Sequence, residues 1–225
     1  MRNLMLLAAL LLTLIPAARA ETAWIEGEHY FLVDPVQPTA VAHGKVEVVE
    51  VFSYACPACN LFYPVIDKLK AGLPADAQLR YLPASWHPEE DWKNFQRAYF
   101  AAEALGLVAR THDAVFDAIW KTGELATMDT ATNRPKAAMP TIIDIAGFYA
   151  KHAGVAADAF LENAHSFSVD AQMRAADAQI RAYGVDATPS LVINGRYRLT
   201  PRSAGGNDQF IALTKWLVAK EAARH

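Results

Sequence analysis

Two periods of apolar residues divide the chain after its first twenty positions. The run Val46-Glu47-Val48-Val49-Glu50-Val51-Phe52 is almost wholly apolar and β-branched, the pattern of a central strand. Asn60 to Ala71 follows with Leu61, Val65 and Leu69 at helical spacing, and Gly72 and Pro74 punctuate its end. Gln78 to Leu82 reads as a second strand. From Asp91 to about His165 the period is helical almost throughout. Trp92, Phe95, Tyr99, Ala102 and Leu105 form one stripe, Val115, Phe116, Ile119 and Trp120 a second, and Ile142, Ile145 and Tyr149 a third. Lys121 to Pro140 interrupts them with a polar segment that is long for a loop, hence either functional or mobile. A long helix is predicted over Ser168 to Tyr183, with Val169, Met173, Ala176 and Ile180 inward and Gly184 as its stop. Ser190-Leu191-Val192-Ile193 and Arg196-Tyr197-Arg198-Leu199 flank Asn194-Gly195, a strong hairpin signal. A last helix is expected from an N-cap near Asn207 to about Ala223, burying Phe210, Leu213, Trp216 and Leu217. The pattern is an α/β unit split by a helical block.

The first twenty residues carry a different message. Arg2 supplies a positive start, Leu4 to Ile15 an apolar stretch short for a bilayer span, and Ala18-Arg19-Ala20 a small-x-small cleavage site. A secretory signal peptide over residues 1–20 is expected. Its removal takes the formal charge from −3 to −5, since Arg2 and Arg19 leave with it. No block of Lys and Arg favours nucleic acid or an anionic membrane as partner. The remaining chain is long enough to bury a core without covalent staples.

That makes the two cysteines the centre of interest. They are the only ones in the chain, and they close the first strand as Cys56-Pro57-Ala58-Cys59. A ring this small removes only about 2 kcal/mol of chain entropy, against about 3 for a fifteen-residue loop, so stability is a poor reason for it. Cys-x-x-Cys between a strand and a helix points to redox chemistry. Positions i and i+3 in a first helical turn lie at a distance a disulfide can bridge, with the first sulfur outward and the second inward. Cys56 is therefore the expected point of attack. Pro57 suits the first helical position, and the helix end offers amide groups and a positive dipole to a Cys56 thiolate. A dipole contribution of about 2 kcal/mol lowers a thiol pKa by about 1.5 units, and further lowering requires hydrogen bonds.

Several segments together resemble the DsbA-type thiol-disulfide oxidoreductases of the bacterial periplasm. They are Glu50-Val51-Phe52-Ser53-Tyr54-x-Cys56-Pro57-x-Cys59, the helical block, Val185-x-x-Thr188-Pro189-Ser190 and Asn194-Gly195-Arg196-Tyr197. The resemblance implies an α/β thioredoxin fold interrupted by an inserted helical domain. Residues 21–88 would form its first part, 89–167 the insertion and 168–225 the second part. It also implies a disulfide donated to newly secreted proteins in the periplasm. The commonest family pattern places a histidine before the second cysteine; Ala58 stands there, so that source of thiolate stabilisation is missing. Cys56 is therefore expected to titrate below a free thiol but above the most acidic members.

The resemblance further implies a cis Thr188-Pro189 bond beside the disulfide, presenting the Thr188 backbone to an extended substrate as one strand does to another. Glu47 and Glu50 have opposite parity, so a strand covered on both sides buries at least one. The family has an acid at the Glu50 position, where it could take the proton Cys59 loses when it attacks a mixed disulfide. The only cofactor expected is the redox-active Cys56-Cys59 disulfide, with no metal. The implied partners are reduced, unfolded secreted proteins and a quinone-linked membrane reoxidase of the DsbB type. With few residues before Val46 there is no room for an isomerase's dimerisation domain, so a monomer is expected. The alternatives are a reductase or isomerase with the same thiols, or a thioredoxin-like copper-binding protein. His87, in Ser85-Trp86-His87-Pro88, is given no role.

Overall fold

A computed structural model describes residues 24–129, 131–132 and 134–224, so the leader expected over residues 1–20 lies outside the described residues. Its elements run β1 (Phe31–Leu32), β2 (Val46–Phe52), α1 (Pro57–Ala71), β3 (Ala77–Pro83), α2 (Trp92–Ala104) and α3 (Val108–Trp120). They continue with β4 (Met128–Asp129), β5 (Arg134–Pro135), α4 (Ile142–Ala153), α5 (Ala157–Ala164) and α6 (Phe167–Ala182). The chain closes with β6 (Ser190–Ile193), β7 (Tyr197–Leu199), α7 (Pro201–Ala204) and α8 (Asn207–Ala222). Five strands form one sheet in the order β1-β7-β6-β2-β3, with β2 and β3 parallel and β2 and β6 antiparallel.

β2 is buried along its whole length because helices cover both faces of the sheet. Val46 and Val48 join Phe62, Ile66 and Leu69 of α1 and Phe210, Leu213 and Leu217 of α8 in one core. Val49 and Val51 face a second core, built largely from α2 to α6. Those helices lie between β3 and β6 in the chain, and α6 returns it to the sheet at β6. Among the described residues no helix is long and apolar enough to cross a membrane.

The structure moves several details of the sequence reading. α1 starts at Pro57 rather than Asn60, since Pro57 occupies the first turn and Cys56 caps it. Its buried stripe is Cys59, Phe62, Ile66 and Leu69, whereas Leu61 is 79% exposed. The stripe is set by the inward cysteine, and Leu61 falls on the opposite side. The cap of α8 is Gly206, whose φ of 127° is open to glycine and costly for Asn, and Asn207 becomes the first helical residue. Trp216 is only partly buried. The segment between Lys121 and Pro140 folds back as the β4-β5 pair and docks by burying Leu125 and Thr127. Glu124 fastens it to the end of α4 by accepting from Lys151 at 3.0 Å and pairing with His152 Nε2 at 3.0 Å.

The β6-β7 hairpin turns at Asn194 (φ 51°) and Gly195 (φ 62°), the left-handed pair such a two-residue turn requires. A side chain at Gly195 would also run into the Gln37 carbonyl, so the position is closed to other residues on two counts.

Candidate redox site

The site forms where β2 ends. After Phe52 the backbone turns at Ser53 to Cys56, held by Cys56 N–H donating to the Ser53 carbonyl at 3.2 Å and Ala55 N–H donating to Ser53 Oγ at 3.3 Å. Cys56 then caps α1, with extended dihedrals and its sulfur accepting from the Cys59 amide at 3.4 Å. A sulfur thus stands where a helix normally takes a hydroxyl or carboxylate, facing the unpaired amides of the first turn. Ala58 lies inside that turn and is exposed.

The second wall comes from 132 residues further along. β6 runs antiparallel to β2 with Ser190 opposite Val51, so the segment entering β6 lies beside the end of β2. This brings Thr188 onto Cys56: its hydroxyl donates to Sγ at 3.2 Å, and its carbonyl can accept from the thiol at 3.8 Å. The Thr188-Pro189 bond is cis, and Ser190 Oγ steadies the approach by donating to the Ala187 carbonyl at 2.7 Å. This cover accounts for a departure from expectation: Cys56 retains only 5% of its surface, while Cys59 retains none.

Both cysteines are thiols, and their surroundings separate them. The Cys56 thiol is pushed down to about 6, chiefly because the Cys59 thiol donates to it; burial opposes this, and the Thr188 hydroxyl and the amides of Cys59 and Ala58 assist. Cys59 is driven well above the usual thiol range by burial, by its own hydrogen bond to Cys56 and by the Cys56 charge. With its pKa depressed, Cys56 contributes stability to the reduced fold that is fully present above the unfolded value of 9.0 and lost as pH falls through about 6. At pH 7 the contribution is on the order of 1 kcal/mol, roughly 20 mV, and it grows as pH rises further. A stabilised reduced form means a more oxidising disulfide.

Both strand glutamates are buried, on opposite sides of the sheet. Glu47 accepts from Arg80 Nε at 2.9 Å and from the Ala40 amide at 3.1 Å, a structural ion pair. Glu50 shares the face of Val46 and Val48, against which α1 packs, and its cross-strand partner on β3 is Tyr81 rather than a cation. Burial pushes its carboxyl up to about 8, and the charges of Asp67 and Cys56 add to the rise. At neutral pH Glu50 is mostly protonated. His87 lies on the loop before α2, paired with Glu89 at 2.8 Å and in edge contact with Trp92. Among the described residues no group of three or more His, Cys, Asp or Glu is placed to hold a metal ion.

With this geometry in view, comparison with known proteins decides the family. A thioredoxin family model matches residues 42–212. The thiol:disulfide interchange protein DsbA of Pseudomonas aeruginosa strain PAO1 is 35% identical over 225 residues, spanning 99% of this chain and 98% of that protein. The chain belongs to the DsbA family. The DsbA of Azotobacter vinelandii is 35% identical over 187 residues, 83% of this chain and 80% of that one. Among solved structures, P. aeruginosa DsbA superposes with a TM-score of 0.75 at 32% identity, over 89% of this chain and 96% of that chain. DsbA from Xylella fastidiosa gives 0.76 at 32% identity, over 88% and 97%. The protein is accordingly a disulfide oxidoreductase of thioredoxin fold with a helical insertion, as DsbA structures have.

Some of the residues around the DsbA-type site escaped the sequence reading. Tyr54 entered it only as part of a motif, and Trp120 and His112 only as a core stripe and an unremarked histidine. Periodicity marks such residues as buried but does not say which polar atoms they carry to the site. Tyr63, half-buried against the core, and the exposed Asp67 gave no signal at all.

Proposed function

We propose that the protein donates the Cys56-Cys59 disulfide to reduced client chains outside the cytoplasm. A client thiolate attacks Cys56 Sγ, the Cys56-Cys59 bond breaks, and the bonding electron pair leaves with Cys59. A second client thiolate then displaces Cys56, which departs as a stabilised thiolate, and the client leaves oxidised while the protein carries two thiols. The observation that carries this reading is the asymmetry of the two sulfurs. Cys56 caps a helix and accepts from Thr188 at 3.2 Å, whereas Cys59 is fully enclosed with a strongly raised pKa. That arrangement makes Cys56 the better leaving group in the second step and the reachable sulfur in the first.

In this reading Thr188 and Pro189 hold the client's backbone beside Cys56, and Pro57 and Ala58 shape the cap. Glu50 handles the Cys59 proton. Because Glu50 is neutral at pH 7, it gives a proton to the departing Cys59 in the donating direction, and in reverse it takes the proton back. Reoxidation falls to a membrane-embedded, quinone-linked protein of the DsbB type, consistent with membership of the DsbA family. Delivery to the periplasm follows from the leader read in the sequence.

The test is a reduced peptide carrying two cysteines, mixed with fully oxidised protein in air-free buffer at pH 7. One peptide disulfide per protein molecule is expected, with both cysteines recovered as thiols. Retention of the Cys56-Cys59 bridge in the presence of excess dithiol peptide would overturn donation and favour a reductase.

A further inference from the structure

The helical insertion grips the redox centre at three points. Tyr54, two residues before Cys56, is 1% exposed and held from α3 at its carbonyl and its hydroxyl. Its carbonyl accepts from Trp120 Nε1 at 2.8 Å, and its hydroxyl shares a hydrogen bond of 2.9 Å with His112 Nδ1. His112, Phe116 and Trp120 lie at four-residue intervals, hence on one stripe of α3, and the Phe116 ring packs edge-on against Tyr54 at 5.1 Å. The same helix holds α1 beyond the cysteines. Phe116 stacks on Tyr63 with centroids 5.0 Å apart, Tyr63 Oη donates to Asp117 at 3.1 Å, and Lys121 Nζ donates to Tyr63 Oη at 2.7 Å.

We propose that Trp120 and His112 are positioning residues for disulfide exchange, fixing through Tyr54 the turn that presents Cys56 Sγ to the amides of α1 and to Thr188. This rests on the donor reading above and extends it: the inserted helices set how strongly the site oxidises, besides covering the sheet. The Trp120 indole fixes the plane of the Tyr54-Ala55 peptide, the link that leads directly into the cap. The Ser53-to-Cys56 turn has two internal hydrogen bonds of 3.2 and 3.3 Å, neither of which engages the Tyr54 carbonyl that Trp120 holds. The contacts that stabilise the thiolate depend on the sulfur's place: the Cys59 thiol first, then the Thr188 hydroxyl at 3.2 Å and the Cys59 amide at 3.4 Å. Charge-assisted hydrogen bonds weaken steeply with length and angle, so a loosened turn favours the neutral thiol.

The experiment compares Trp120→Phe and Tyr54→Phe with the wild type. The first removes the indole N–H and the second the hydroxyl facing His112, while each keeps an aromatic ring. Thiolate absorbance is followed against pH in the reduced proteins, with thermal denaturation alongside. Each variant is expected to raise the Cys56 midpoint by about half a pH unit or more, a threefold shift in thiolate equilibrium. The double variant should rise by less than the sum, since both act through one turn. Smaller shifts in both single variants, with only the denaturation temperature lowered, would overturn the proposal and leave the contacts purely structural. Should Trp120→Phe fail to fold, Tyr54→Phe decides alone. A wild-type protein that cannot oxidise the dithiol peptide refutes the donor reading instead, so the two failures are distinguishable.

Discussion

Cys59→Ser is expected to stall the protein as a mixed disulfide, and turnover of a dithiol client should fall to the uncatalysed rate. The reduced variant keeps the Cys56 sulfur in its cap but lacks the thiol that resolves an adduct internally. Loaded with a single-cysteine client through an activated client disulfide, it should hold that client until an outside thiol intervenes. Cys56→Ser should lose turnover equally yet form no adduct, because Cys59 has no exposed surface and a strongly raised pKa. Burying a hydroxyl in place of the Cys59 thiol costs about 1–3 kcal/mol, which leaves a domain of this size folded. Mass spectrometry after trapping with a single-cysteine peptide reads the outcome. Stable adducts on the Cys56→Ser variant would place the attack on the wrong sulfur and break the account.

Glu50→Gln carries the second large effect. In the wild type the carboxyl, pushed up to about 8 by burial and by the charges of Asp67 and Cys56, is mostly protonated at pH 7. Cys59 departs from the disulfide as a poorly stabilised anion in a buried place, so a buried proton donor whose charge acts on Cys59 is expected to lower the barrier. General acid catalysis of this kind is typically worth a factor of about 100 or more, and mixed-disulfide formation should slow by about that much. The second step, release of the oxidised client from Cys56, should keep its rate, since Cys56 leaves towards the helix amides. The sign with pH is definite. Glu50 loses its proton above about 8, so the wild-type advantage should shrink there, while the glutamine variant shows no such change. The variant should also be more stable at neutral pH. A raised carboxyl pKa leaves the fold unpenalised below the unfolded value of 4.5 and withdraws stability as pH rises towards about 8. Rapid quenching with a single-thiol peptide separates the two steps. Equal slowing of both, or of neither, would remove Glu50 from the reaction.

The sequence disclosed the parts of this site that obey local rules. The Val-rich strand, Pro57 at the start of a helix and the Asn-Gly hairpin each follow from backbone preference, and all three lie where expected. The stripe of α1 was less legible, because Leu61 and Phe62 are both apolar and only the inward pull of Cys59 chooses between them. The fold-back of residues 121–140 was hidden for another reason. Its docking depends on Leu125, Thr127 and the distant Lys151 and His152, none of which leaves a periodic trace. The covering of Cys56 by Thr188 depends on antiparallel β2-β6 pairing across more than a hundred residues. The protonation of Glu50 is likewise a property of packing. Parity placed an acidic residue on each face of β2, but only the packing shows that Glu47 meets Arg80 while Glu50 is enclosed with its carboxyl raised by burial.

The central claim is that the Cys56 sulfur is stabilised as an anion in the reduced protein. Thiolate absorbance at 240 nm, followed against pH with Cys56→Ser as the blank, measures that directly. A single transition near 6 is predicted, the value to which the Cys59 thiol, Thr188 and the α1 amides bring the sulfur against the cost of burial. A midpoint at about 8 or higher, where an ordinary thiol titrates, would contradict the account.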